Sequence, residues 1–182
     1  MQSFPIYTIE SAPERSKAGL QSLKAAFGMV PNLAGTIATS PVLINGLVGL
    51  FQGIHGGSFT EAQIQTILLT NAVTNACSWA VAFHTALALK EGLDPADVDA
   101  IREDRVPNDR QHAALSTLAR TLIEKRGRLD DRDIDVFTGA GFKKDLVLEV
   151  IAIVAASTIT NYTGSVAKPP LDAPFQPYMW NN

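Results

Sequence analysis

The sequence predicts an all-α fold, and three observations carry that prediction. Helix-start signals recur along the chain, alternating runs of strand type are nearly absent, and apolar residues between the starts recur at three- and four-residue spacing. Ser11-Ala12-Pro13-Glu14 has the S-x-x-E form of a capping box and opens a helix that should end near Gly28. The run "GMVPNL" reads as a turn around Pro31. Ser40-Pro41 is an N-cap followed by proline at the first helical position. Val42, Leu43, Leu47, Leu50, Phe51 and Ile54 then supply apolar positions before Gly56-Gly57 stops the helix. Thr60-x-x-Gln63 is a second capping box, and Ile64, Ile67, Leu68 and Val73 give the helix it opens one apolar face.

Asn75 either caps a fresh helix that starts just before Cys77 or sits inside one long helix; the poor helical run Val73-Thr74-Asn75 favours a break. Gly92 ends that second helix and Asp94-Pro95 starts a short one. Asp109 and Gly127 bracket a helix containing Leu115, Leu118, Leu122 and Ile123. Asp130 caps another up to Gly139, and the last runs from Lys143 to about Ser165. Residues 168–182, rich in proline and aromatics, read as an extended tail on a single domain of 1–182. An internal helical repeat is suggested by laying Gly57–Ile64 on Gly127–Ile134, and by the partial echo of "VTNACS" in "ITNYTG".

Composition narrows the functions. Charged residues are 18% of the chain against 46% apolar, below the roughly 25% of ordinary soluble domains. Scarce surface charge points to a homo-oligomer. A net charge of −3 without any basic stripe argues against nucleic acid as a partner. One cysteine cannot close an intramolecular disulfide, the N-terminus lacks the pattern of a secretory signal, and Leu146–Thr160 is too short for a bilayer and carries Glu149. The expectation is a soluble cytoplasmic protein with no membrane partner. Three scattered histidines and one cysteine lack the spacing of a metal site, and no glycine-rich phosphate loop follows a strand. No metal or cofactor is expected.

The chemistry-bearing stretch is "NACSWAVAFH", Asn75 to His84. On a helix, Ala80 and His84 share a face about 5–6 Å apart. Cys77 and His84 lie on nearly the same face but roughly 10 Å of rise apart, so a regular helix forbids a direct hydrogen bond between them. Capping by Asn75 would put the thiol in the first helical turn, where the dipole favours a thiolate; the alternative is a small, inert, buried residue. Trp79 and Phe83 read as apolar walls or interface, His55 as a group suited to a helix C-terminus, and His112 as solvated.

This segment resembles the carboxymuconolactone decarboxylase superfamily, in particular its alkylhydroperoxidase D (AhpD)-like branch, which carries E-x11-C-x2-C-x3-H across two consecutive helices. Here the pattern reads Gln65-x11-Cys77-x2-Ala80-x3-His84. "GMVPNLAGTIATSPVL", "EGL", Asn161 and Pro170-Leu171-Asp172 are also similar to the family, from about Phe27 to Asp172. The resemblance implies an AhpD-like helical bundle, assembly as a homotrimer or homohexamer, and a site at Cys77 and His84. Supporting positions would be Gln65 and Ala80, where the second thiol is lost; by position alone, Glu61, one turn before Gln65, could bring a carboxylate near the same region, with Trp79 beside it as an apolar wall. The resemblance further implies a peroxidase-related oxidoreductase of antioxidant type, acting on a small-molecule hydroperoxide. A sulfenic acid at Cys77 has no internal resolving thiol, so an external thiol reductant is required. Two alternatives stand beside it. One is a non-redox decarboxylase-like enzyme with His84 as the proton-transfer group, although no basic cluster awaits a carboxylate. The other is a catalytically silent oligomeric binding protein.

Overall fold

The computed structural model describes residues 3–181; Met1, Gln2 and Asn182, the last residue of the expected tail, lie outside the described residues. Among the described residues the regular structure is all helical: α1 Glu14–Phe27, α2 Asn32–Ile37, α3 Pro41–His55, α4 Glu61–Thr74, α5 Ser78–Lys90, α6 Pro95–Arg102, α7 Arg110–Glu124, α8 Asp131–Gly139 and α9 Leu146–Ala167, followed by a 3-10 helix Ala173–Tyr178. The core is organised around α4, which packs on α5, α6, α7 and α9. Ten consecutive residues of α4, from Ile64 to Val73, are buried. A helix enclosed on every side must settle its polar side chains internally. Thr66 and Thr70 do so by bonding the carbonyls of Ala62 and Thr66, and by meeting His112 Nδ1 at 2.7 Å and Ser116 Oγ at 2.9 Å on α7. His112, expected to be solvated, is thus half-buried between two helices.

Several expected boundaries shift for identifiable reasons. Ser11 does not cap α1; Pro13 occupies that place, and Ser11 Oγ accepts the N–H of Thr8 at 3.0 Å. Capping from Ser11 would require Ala12 to be helical immediately before a proline, which the pyrrolidine ring disfavours. "GMVPNL" is more than a turn, because Pro31 leads into α2. The first N–H of α2, that of Asn32, donates to Asp172 Oδ1 at 3.0 Å, a contact 140 residues away in sequence that no local pattern announces. The capping boxes at Thr60 and Asp130 and the Ser40-Pro41 start are formed.

The long helix does break, between Thr74 and Ser78, but Asn75 closes α4 instead of opening α5. Its Nδ2 donates back to the carbonyl of Asn71 at 2.9 Å, Ala76 takes φ +50°, and Cys77 stands at the N-cap of α5. The echo "ITNYTG" carries no such break; it lies within continuous α9. α9 begins at Leu146 and runs for 22 residues, so it is long and apolar enough to cross a bilayer, contrary to the shorter span expected. It instead packs against five helices, α2, α3, α4, α5 and α7, and buries Ser157, Thr160 and Asn161 among them, which makes it a core helix. The tail is extended only to Asp172 and then coils into its 3-10 turn over α5. Arg102 donates to the carbonyls of Tyr178 and Met179, and Trp180 Nε1 donates to the carbonyl of Arg102 at 3.0 Å, so the strap is fastened at its far end.

Two serine/threonine substitutions separate a formed cap from an apparent one. Thr60→Ala should lower the unfolding free energy by about 1 kcal/mol, and Ser11→Ala by less than half of that, measured by urea denaturation.

Candidate functional site

The turn at 75–77 folds α5 back along α4 and brings Gln65 against His84. His84 Nδ1 meets Gln65 Oε1 at 3.0 Å, with both residues buried. A carbonyl oxygen accepts, so Nδ1 carries the ring proton and Nε2 keeps its lone pair. Burial holds the imidazole neutral, depressing its pKa from 6.5 to about 3, with a smaller push from His55. Nε2 has no hydrogen-bond partner among the described residues.

That ring lines a cavity of about 40 Å³ walled by residues of α1, α2, α3, α5 and α9 and partly open to solvent. Its walls include Phe27, Leu33, Ile37, Phe51, Trp79 and Phe83, with Thr160 as the other polar group. The aromatic side is tightly organised. Trp79 stacks on Phe83 at 5.0 Å, Phe83 meets Phe27 edge-on at 5.2 Å and His84 at 5.2 Å, and Phe175 from the tail backs Phe83 at 4.9 Å. Thr160 Oγ1 already donates to the carbonyl of Ser157, so it offers only an acceptor. No charged side chain lines this cavity. A larger open groove of about 720 Å³ lies on the outer side of the 75–77 turn, among Val73, Asp99, Arg102, Glu103, Glu124 and Trp180. It holds none of the residues that the sequence singles out for chemistry, and its guanidinium is committed to the tail strap.

Cys77 is not a wall of the cavity. The residue is 3% exposed, and its Sγ is turned toward α9, where a Cβ added to Gly164 would sit only 2.8 Å away. Glycine at that position is therefore what admits the sulfur. Burial pushes the thiol pKa up; the backbone N–H of Ala80, the Ser165 hydroxyl and the N–H of Trp79 pull the other way without prevailing. The dipole argument for a thiolate is overturned here: the sulfur stands at the N-cap among donors, yet desolvation is the larger effect. Leu33, which lines the cavity, comes within 4.0 Å of the same point beside Gly164, so the sulfur lies one side chain behind the wall.

The other candidates separate. Ala80 is fully buried inside the core. Glu61 does not reach His84; its carboxylate receives His55 Nδ1 at 2.9 and 3.0 Å on the surface. Phe27, Phe51, α2 and Thr160 were not legible as site residues, because each joins the cavity through tertiary packing. Asp172 ties α2 to the tail, and burial raises its carboxyl pKa against the Asn32 N–H and the Trp79 indole. Among the described residues no cluster of three metal-ligating side chains occurs.

Known proteins supply a context for this geometry. The sequence model of the carboxymuconolactone decarboxylase family matches residues 41–122. A search of curated proteins finds no match. Among solved structures, an uncharacterized peroxidase-related protein with an alkylhydroperoxidase AhpD core from Ralstonia eutropha JMP134 superposes with a TM-score of 0.80 at 17% identity, covering 95% of this chain and 93% of that one. A Cys→Ala variant of the debrominase Bmp8 in complex with 2,3,4-tribromopyrrole gives 0.80 at 15% identity, covering 98% and 95%. An uncharacterized peroxidase-related protein from Silicibacter sp. TM1040 gives 0.76 at 17%, covering 96% and 92%. At such identities the likeness is one of fold.

The neutral state of His84 has a consequence for stability. Its folded pKa lies below its unfolded value, so the unfolded chain binds the proton first and stability falls as pH drops from about 6.5 toward 3. Relative to His84→Gln, the wild-type protein should lose about 2 kcal/mol between pH 7 and pH 5, read from urea midpoints. The sulfur should behave as a protected thiol: native Cys77 should react with iodoacetamide at pH 8 at least about tenfold more slowly than in the urea-unfolded chain.

Proposed function

We propose that this chain, whose residues 41–122 match the carboxymuconolactone decarboxylase family model and whose fold is that of AhpD-core proteins, binds and acts on an uncharged, mostly apolar small molecule carrying one O–H or N–H donor, with His84 as the group that receives that donor. The observation that carries this reading is the division of labour on one ring: Nδ1 is committed to Gln65 while the ring itself lines the cavity. The remaining polar contacts, Nε2 and Thr160 Oγ1, are acceptors. An apolar wall with two acceptors and no cation would charge a desolvation cost to a carboxylate or phosphate and leave it unpaired. That speaks against a carboxylated lactone as substrate. Alcohols, organic hydroperoxides and pyrrole-type N–H heterocycles all meet the requirement, and the brominated pyrrole held by the similarly folded Bmp8 belongs to the same chemical class. A buried imidazole with so low a pKa positions a donor and accepts its proton only transiently.

A second reading, thiol-dependent hydroperoxide reduction, is favoured by one specific feature: Cys77 stands at the N-cap of α5, where the N–H groups of Ala80 and Trp79 and the Ser165 hydroxyl pull its pKa down against burial. In that reaction the thiolate attacks the terminal peroxide oxygen, the O–O bond breaks, and an alcohol leaves with a sulfenic acid on Cys77. One external thiol then condenses with the sulfenic acid, releasing water and forming a mixed disulfide, and a second thiol restores the sulfhydryl. It requires Leu33 to move from between the sulfur and the cavity, whereas in the first reading the acting ring already lines the cavity.

Ligand binding and peroxide consumption distinguish the two. Pyrrole should bind the wild-type protein, N-methylpyrrole and pyrrole-2-carboxylate should bind at least about fivefold more weakly, and His84→Ala should lose about tenfold in pyrrole affinity while Cys77→Ser stays within about twofold. Calorimetric titration checks this. Cumene hydroperoxide consumption with dithiothreitol that Cys77→Ser abolishes would replace the first reading by the second.

A further inference from the structure

The cavity comes nearest to solvent at two aromatic side chains. Of the side chains that line it, all are buried except Phe27 at the end of α1 and Phe51 in the last turns of α3, both half-buried. Phe51 is braced from outside: the His55 ring stacks on it at 6.0 Å and 27°, and Glu61 holds His55 Nδ1 at 2.9 and 3.0 Å. Glu61 is itself placed by the capping box at Thr60, which fixes the start of α4. Phe51 is also flanked by Gly49 and Gly53, and a Cβ at either position would meet nothing within 4 Å. Neither glycine is demanded by packing, yet each weakens the helix by about 1 kcal/mol relative to alanine. The half-buried ring thus packs on the core from within, is flanked by two glycines that packing does not demand, and is braced from outside by a surface pair.

We infer that Phe51 is the gate of the cavity and that the His55–Glu61 pair is its latch, setting how fast ligands larger than the resting space enter and leave. A cavity of about 40 Å³ admits roughly three water-sized groups, so a halogenated or substituted ring requires Phe51 to swing outward. His55 and Glu61 act through Phe51 and touch no ligand; they are positioning residues. The inference rests on the cavity being the binding site.

The probe is 2,3,4-tribromopyrrole, whose bromines quench the fluorescence of the cavity-wall Trp79 on arrival, followed by stopped-flow mixing. His55→Ala and Glu61→Gln should each raise the association and dissociation rates together, by about threefold to tenfold, the factor expected for releasing one aromatic stack, with Kd changed by less than about twofold. Unchanged rates in both variants, or a shift in Kd with little change in association rate, would overturn the latch while leaving the binding site intact. No quenching in the wild-type protein at any concentration would overturn the binding site and the gate with it.

Discussion

The three-residue turn between α4 and α5 is the constraint on which the rest of the site depends. In a continuous helix Gln65 and His84, nineteen residues apart, would be separated by about 28 Å. The break, made with Ala76 in the left-handed region and Asn75 closing α4 onto its own carbonyl, returns α5 along α4 and brings the two side chains to 3.0 Å. The same turn fixes Cys77 at the N-cap of α5, aimed at Gly164, and sets Trp79, Phe83 and His84 along α5 toward the cavity.

Burial then decides the charge state of everything the turn assembles. At Cys77 the N-cap position and three donors favour a thiolate, an effect worth at most about 2 kcal/mol for a helix terminus in good geometry. Removing a charge from water outweighs it, and the thiol pKa rises. At His84 the same effect acts with the opposite sign on a base, lowers the pKa to about 3 and leaves the ring uncharged near neutral pH. Both groups are neutral at rest for one reason, the density of apolar side chains around α4 and α5.

The helices were legible where the chain marks its own boundaries. Thr60 with Gln63, Asp130 with Asp133 and Ser40-Pro41 are local signals, and local physics suffices to realise them. Ser11 fails because a proline two residues on competes for the same start, and α2 escaped notice because the group that satisfies its first N–H arrives from Asp172 at the other end of the chain. The site divides along the same line. The spacing of Gln65, Cys77, Ala80 and His84 is written in order, and so is the exclusion of a direct Cys77–His84 bond within one helix. Which face of the N-cap the sulfur takes depends on a glycine 87 residues later. That Phe27, Phe51 and Thr160 converge on one imidazole depends on how α1, α3 and α9 pack, and no spacing within a single helix encodes it.

The two departures from the family pattern belong together physically. A glutamate at position 65 would stand 4% exposed against an imidazole, and a buried carboxylate is tolerable only if the ring takes a proton or the acid keeps its own. Either outcome would place a charge or a mobile proton at the cavity wall. Glutamine supplies the same acceptor oxygen to Nδ1 with no net charge, which fixes the tautomer and leaves the site neutral. At position 80 a thiol would face the same fully buried surroundings and gain nothing from a neutral neighbour, since a thiolate needs a nearby cation or a relay to leave its proton with. Once the carboxylate is gone from 65, the force that would ionise a sulfur at 80 is gone as well, and alanine fills that place without a polar cost. What remains is an uncharged acceptor on an apolar cavity wall, the feature on which the proposed choice among ligands by the hydrogen they offer rests.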